Sequence, residues 1–148
     1  MALGPTTYKT PNIINSIDSD MTGKEGCGVL LYGANRVKLA TSPGELPYGI
    51  IVTGTDSVTP GTYPSAIGDA SLEMVDQLGC VVQVLASSQF AIAAGDAILI
   101  DSTDADGTFT NGNDQPAGVG DWIWGFALTE AAASEQFLMR FQPAQRQV

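Results

Sequence analysis

The segment Asp101-Ser102-Thr103-Asp104-Ala105-Asp106-Gly107 gathers oxygen ligands, and the chemistry it suggests first is calcium binding. An EF-hand register that sets Asp106 and Gly107 at loop positions five and six puts Ser102 at position one and Asn113, not Glu, at position twelve. Both ends of the pattern fail. The composition is that of a solvated hairpin loop, so no metal is expected there. Sixteen Asp and Glu residues offer pairs for glycosidase-type acid–base work, but that chemistry needs an acid whose pKa is raised by an apolar setting. Asp76 comes nearest, in a segment of ambiguous structure. The chain has no histidine, which removes the commonest general base and the commonest metal ligand together. Cys27 and Cys80 therefore lack a histidine partner, and no Gly-x-Ser-x-Gly elbow or phosphate-cradling glycine loop is present. Each cysteine stands beside glycine in apolar surroundings and reads as a small buried hydrophobe, reduced in a cytosol. No catalytic residue, cofactor or metal is expected.

Two groups of residues suit binding better than catalysis. Trp122 and Trp124 share one face of a strand pattern, with Ile123 on the other. Either one ring packs in the core and the other is exposed, or the pair anchors a subunit interface, where Trp is enriched. Residues 1–26 carry Tyr8, Ile13, Ile14, Ile17 and Met21 in a stretch broken by Pro5, Pro11, Gly23 and Gly26. Such an arm either folds back on its own domain or orders against a neighbouring subunit, and those five residues with the two Trp are the candidate interface.

The elements that must position these residues are strands. At 148 residues the chain fits a single β domain, 27–148, preceded by the extended arm 1–26. Short apolar runs alternate with Gly, Asp, Asn and Pro clusters, as in hairpin-connected strands. Strands are expected over 29–32, 36–40, 48–53, 81–85, 90–94, 97–100, 121–128 and 136–141, the last ended by Pro143. Residues 69–78 fit a capped helix or a strand, with strand favoured by the neighbours. A long loop is expected over 101–120, and the Ala-rich 129–135 is too short for a stable helix. The expectation is an all-β barrel or sandwich with little helix. Val37, Leu39, Ile50, Val52, Val82, Val84, Ile92, Ile98, Ile100, Phe126, Leu128, Phe137 and Met139 are its predicted core. Tyr48-Gly49-Ile50-Ile51-Val52-Thr53 is echoed by Trp124-Gly125-Phe126-Ala127-Leu128-Thr129, and each glycine is expected to admit a ring or backbone across the sheet.

Charge narrows the partners. The net charge is −10, and only 15% of residues are charged. Without a Lys/Arg cluster the chain is not expected to bind nucleic acid or an anionic membrane surface. No apolar run approaches the roughly 18 residues of a spanning helix, and the start has no basic region leading into an apolar core. A cytosolic site of synthesis follows.

Taken in order, Gly79-Cys80-Val81-Val82-Gln83-Val84, Phe90-Ala91-Ile92-Ala93-Ala94-Gly95-Asp96-Ala97-Ile98 and Trp124-Gly125-Phe126-Ala127-Leu128-Thr129-Glu130-Ala131-Ala132, with the strand to Phe141, resemble the capsid cement, or decoration, proteins of tailed bacteriophages. Val37-Lys38-Leu39-Ala40 leading to Pro47-Tyr48-Gly49-Ile50-Ile51 resembles the earlier hairpin of that family. The resemblance spans Tyr32 to Phe141 and is weakest over 55–77. The long 101–120 loop and the doubled Trp depart from the family pattern. The resemblance implies a non-enzymatic virion protein on the outer capsid surface, present in the host cytoplasm during assembly. Its implied partners are the major capsid protein, whose subunits it staples, and further copies of itself, a trimer before a dimer. The rival classes are a carbohydrate- or receptor-binding β module of a virion and a carboxylate-dependent hydrolase.

Overall fold

The computed structural model describes residues 12–14, 16–17, 23–31, 36–51 and 72–147, with backbone alone for 12–14, 16–17, 36 and 72–75. None of these residues is helical. The first sheet contains β1 (Asn12–Ile14), β2 (Ser16–Ile17), β3 (Gly28–Leu31), β4 (Arg36–Leu39), β5 (Gly49–Ile51) and β6 (Leu72–Val75), in the order β1-β6-β5-β3-β4-β2. Every pairing in it is antiparallel except that of β2 with β4. The second sheet contains β7 (Val81–Leu85), β8 (Ala97–Ile100), β9 (Phe109–Asn111), β10 (Trp122–Ala127) and β11 (Gln136–Gln145), antiparallel throughout, in the order β7-β11-β10-β8-β9. One isolated bridge, Ala86 to Phe109, links the outer strands of this sheet without making a ladder. The all-β expectation therefore resolves to a sandwich, not a closed barrel.

The layers hold together because apolar side chains alternate toward the space between them. Val82 and Val84 of β7, Ile98 and Ile100 of β8, and Phe137, Met139 and Phe141 of β11 meet Leu30 and Ile50 of the first sheet, with Trp124 and Phe109 fully buried among them. Phe109 stands edge-on to Trp124, ring centroids 5.3 Å apart, a favourable aromatic arrangement. A smaller cluster joins Cys27, Val29, Val37 and Ile51 to Leu39, Tyr48 and Leu85. The segment 26–28 stitches one layer to the other. Gly26 N donates to the Ile51 carbonyl at 2.9 Å, the Gly26 carbonyl accepts from Leu85 N at 3.0 Å, and Gly28 N donates to the Gly107 carbonyl at 2.8 Å. Gly28 has no room for a side chain, because a β-carbon there would lie 2.7 Å from Trp124 Cη2.

Several expectations hold. The ambiguous 69–78 segment contains a strand, β6. Val37, Ile50, Val82, Val84, Ile92, Ile98, Ile100, Phe137 and Met139 are buried, and Leu39 is half-buried. Val52 lies outside the described residues.

Others are corrected. Residues 90–94 make no strand, only a bridge between Ile92 and Ala131. The 101–120 loop contains β9, whose three residues are all buried. The Asn111 amide is satisfied in place: Nδ2 donates to the Ala91 carbonyl and to Asp114 Oδ2, each at 2.8 Å, and Oδ1 accepts from the backbone of Asn113 and Asp114. Pro143 does not end the last strand, which runs to Gln145. Its missing N–H is absorbed by a bulge, since two steps along β10 from Ile123 to Gly125 face three along β11 from Phe141 to Ala144. The alternation of faces changes phase at that point. Trp124 turns into the core, whereas Phe126 and Leu128, predicted core residues, are 45% and 42% exposed.

Candidate interaction face

The five strands of the second sheet contain a single charged residue, Arg140. The acidic residues of the segments that join these strands all sit in turns and loops. On the face turned away from the core, Val81, Arg140, Phe126 and Ala97 stand side by side across β7, β11, β10 and β8. The next row holds Gln83, Leu138 and Leu128, with Leu128 N donating to the Leu138 carbonyl at 2.8 Å. Below it Gln83 donates through its amide to Gln136. Val81 and Leu138 are covered, so the exposed apolar surface of this face comes from the Phe126 ring and the Leu128 side chain. Arg140, between Val81 and Phe126, is tied down by its Nη1 donating to the Gly79 carbonyl at 2.9 Å. Beyond Ala97 the face dips into a shallow cavity of about 280 Å³ with Leu99, Pro116, Ala117 and Ile123 in its walls and Arg146 at its rim. Arg146 donates to the Ala117 carbonyl, which fixes the far wall. The face carries no acidic side chain: apart from Gln83, Gln136 and Arg140 it is apolar, with Arg146 beside the cavity, on a strongly acidic chain.

The candidate residues read from the sequence fall in different places. Trp124 is completely buried and offers no surface to a partner. Trp122 is half-buried against the core, and its backbone N–H donates to the Pro43 carbonyl at 2.6 Å. Ile13, Ile14 and Ile17 lie on β1 and β2, the outermost strands of the first sheet, paired in their own chain with β6 and β4. Tyr8 and Met21 lie outside the described residues. The exposed pair Phe126 and Leu128 was missed because strict alternation from Trp122 places them inward. The signal that could have found them was Pro143 in the facing strand together with Gly125, a pair typical of a bulge. A β-carbon at Gly125 would run into the Arg140 carbonyl, so the close approach expected of that glycine is backbone against backbone.

The loop chemistry is structural. Asp104 accepts from Ser88 N at 2.7 Å, Ser88 Oγ at 2.9 Å and Gln89 Nε2 at 3.1 Å, and the Ser88 backbone bond chiefly lowers its pKa. Asp106 receives Thr108 Oγ1 at 2.7 Å and lies 3.7 Å from Lys24 Nζ. Among the described residues no three of His, Cys, Asp and Glu are grouped to hold a metal ion. Cys27 and Cys80 are free and buried, and burial, aided by the Asp106 charge, pushes the Cys27 thiol up to about 12. A thiol held neutral is a poor nucleophile. Compared with known proteins, the chain matches no family model, and no curated protein is significantly similar to it in sequence.

Proposed function

We propose that the protein is a structural component of a tailed-phage virion that binds the outside of the capsid and staples neighbouring major capsid subunits. The observation that carries this reading is the outer face of the second sheet. It combines exposed Phe126 and Leu128 with an absence of acidic side chains from its strands, on a chain whose net charge is −10. A face of this kind docks with little desolvation cost, while the acidic remainder stays in water and away from DNA. The ordered motifs that resemble those of cement proteins support the same role. A sugar-binding reading is less well supported, since it calls for an open aromatic platform and Trp124 is enclosed. Among the described strands, β1 and β2 are the edges of the first sheet, a second place where a neighbouring chain can add.

The test is co-sedimentation of the purified chain with expanded, DNA-free heads of its own phage, comparing the wild type with Phe126→Asp and Leu128→Asp. The wild type is expected to pellet with the heads and both variants to remain in the supernatant while keeping the wild-type circular dichroism spectrum. A folded wild type that never pellets refutes the capsid reading. Variants that still pellet refute this face as the contact.

A further inference from the structure

The geometry points to a dry binding site for one monovalent metal cation, Na+ or K+, between the β8–β9 hairpin and the segment 112–117, with Asp101 Oδ2, Thr110 Oγ1 and Gln115 Oε1 as its ligands. All three oxygens are shielded from solvent and none has a hydrogen-bond partner among the described residues. Asp101 and Thr110 are 1% and 0% exposed. The hairpin register sets their backbones near one another. Asp101 N donates to the Thr108 carbonyl at 3.0 Å, which continues the ladder that pairs Leu99 with Thr110. Residues 99, 101, 108 and 110 therefore share one face of the hairpin, opposite the core-facing Ile98, Ile100 and Phe109. Diagonal neighbours on such a face lie about 7–8 Å apart at the backbone, so two side-chain oxygens can meet one ion. Gln115 comes over this face by donating its backbone N–H to the Asn111 carbonyl at 3.0 Å. Its Nε2 donates to Ser102 Oγ at 2.8 Å, beside Asp101.

The chemistry of the three groups selects the ligand. When ionised, Asp101 can only accept at Oδ2; the carboxamide presents its oxygen because its nitrogen is engaged with Ser102, and the Thr110 hydroxyl offers a lone pair. Buried acceptors without a donor are unfavourable, and a buried carboxylate without a counter-charge more so. The other hairpin acids are committed elsewhere: Asp101 Oδ1 accepts from Thr103 N at 2.7 Å, Asp104 ties down Ser88 and Gln89, and Asp106 serves Thr108 and Lys24. One carboxylate in a dry site balances one positive charge, whereas a divalent ion would bring in an uncompensated one. The neutral oxygens of Thr110 and Gln115 would replace part of the hydration shell of an alkali ion. This site is independent of the capsid reading.

The test is thermal melting of the full chain in NaCl, KCl and choline chloride at matched ionic strength, choline being too large to enter. NaCl or KCl should raise Tm by a few degrees over choline chloride, saturating with concentration. Thr110→Val, which keeps shape and charge, should lose that increment, as should Asp101→Asn. Equal Tm in all three salts overturns the site and assigns the oxygens to trapped water or to a turned-over Gln115 amide. An increment that survives Thr110→Val and Asp101→Asn also overturns it. A rise produced by CaCl2 alone and reversed by EDTA overturns the monovalent assignment.

Discussion

Trp124 and Phe126 stand two residues apart on one strand, and a regular strand would give truncation at either site a comparable cost. The bulge predicts otherwise. Trp124 is fully enclosed by Phe109, Phe141 and the bare Cα of Gly28. Trp124→Ala should therefore cost about 3–5 kcal/mol, a large part of the roughly 5–15 kcal/mol that holds such a domain together. For a chain of this size that corresponds to a fall in Tm on the order of 10 °C. Phe126 is 45% exposed, so only about half of its burial is at stake and Phe126→Ala should cost about 1 kcal/mol. A third variant separates volume from polarity. The indole Nε1–H of Trp124 is buried without a partner, and removing an unsatisfied donor recovers about 1–3 kcal/mol. Trp124→Phe should accordingly cost well under half of what Trp124→Ala does. Urea denaturation read by circular dichroism gives all three values, provided the m-value is unchanged. A cost for Phe126→Ala equal to that of Trp124→Ala would refute the phase change on β10. A Trp124→Phe variant as unstable as Trp124→Ala would show that the N–H has a partner after all.

Gly28→Ala should destabilise by about 1–3 kcal/mol, because its methyl carbon would lie 2.7 and 2.8 Å from the Trp124 ring and 3.0 Å from Ile100 Cδ1. Calorimetry on this variant and on Gly28→Ala/Trp124→Phe should show the double variant recovering part of the loss, and simple additivity would contradict the contact. The Cys27 thiol has its folded pKa raised from 9.0 to about 12, so the unfolded chain releases its proton first as pH rises. Its contribution to stability is complete below pH 9 and disappears between about 9 and 12, with a slope of at most about 1.4 kcal/mol per pH unit. Cys27→Ala should flatten the alkaline limb of a Tm–pH curve, and an unchanged limb would disprove the assignment.

The sequence determined the all-β class, because short β-branched runs between Gly, Asp and Asn clusters favour strands, and the one stretch that also fits a helix, 69–78, is flanked by strands. It also determined most of the inward positions of β7, β8 and β11. Val82, Val84, Ile98, Ile100, Phe137 and Met139 lie on regular strands, where a period of two assigns the faces without further information. Tertiary structure decided the rest. Whether Phe126 points in or out depends on the count of residues in β11 opposite β10, a property of the pair and not of either strand. The fate of Trp124 depends on Gly28, nearly a hundred positions away, leaving space for its ring. β9 exists because Phe109 reaches a core built by distant strands and because the carbonyl of Ala91 accepts the Asn111 amide. Local pattern fixes local geometry, but the bulge, the exposed face and the buried oxygens of Asp101, Thr110 and Gln115 arise only when segments remote in sequence are brought into register.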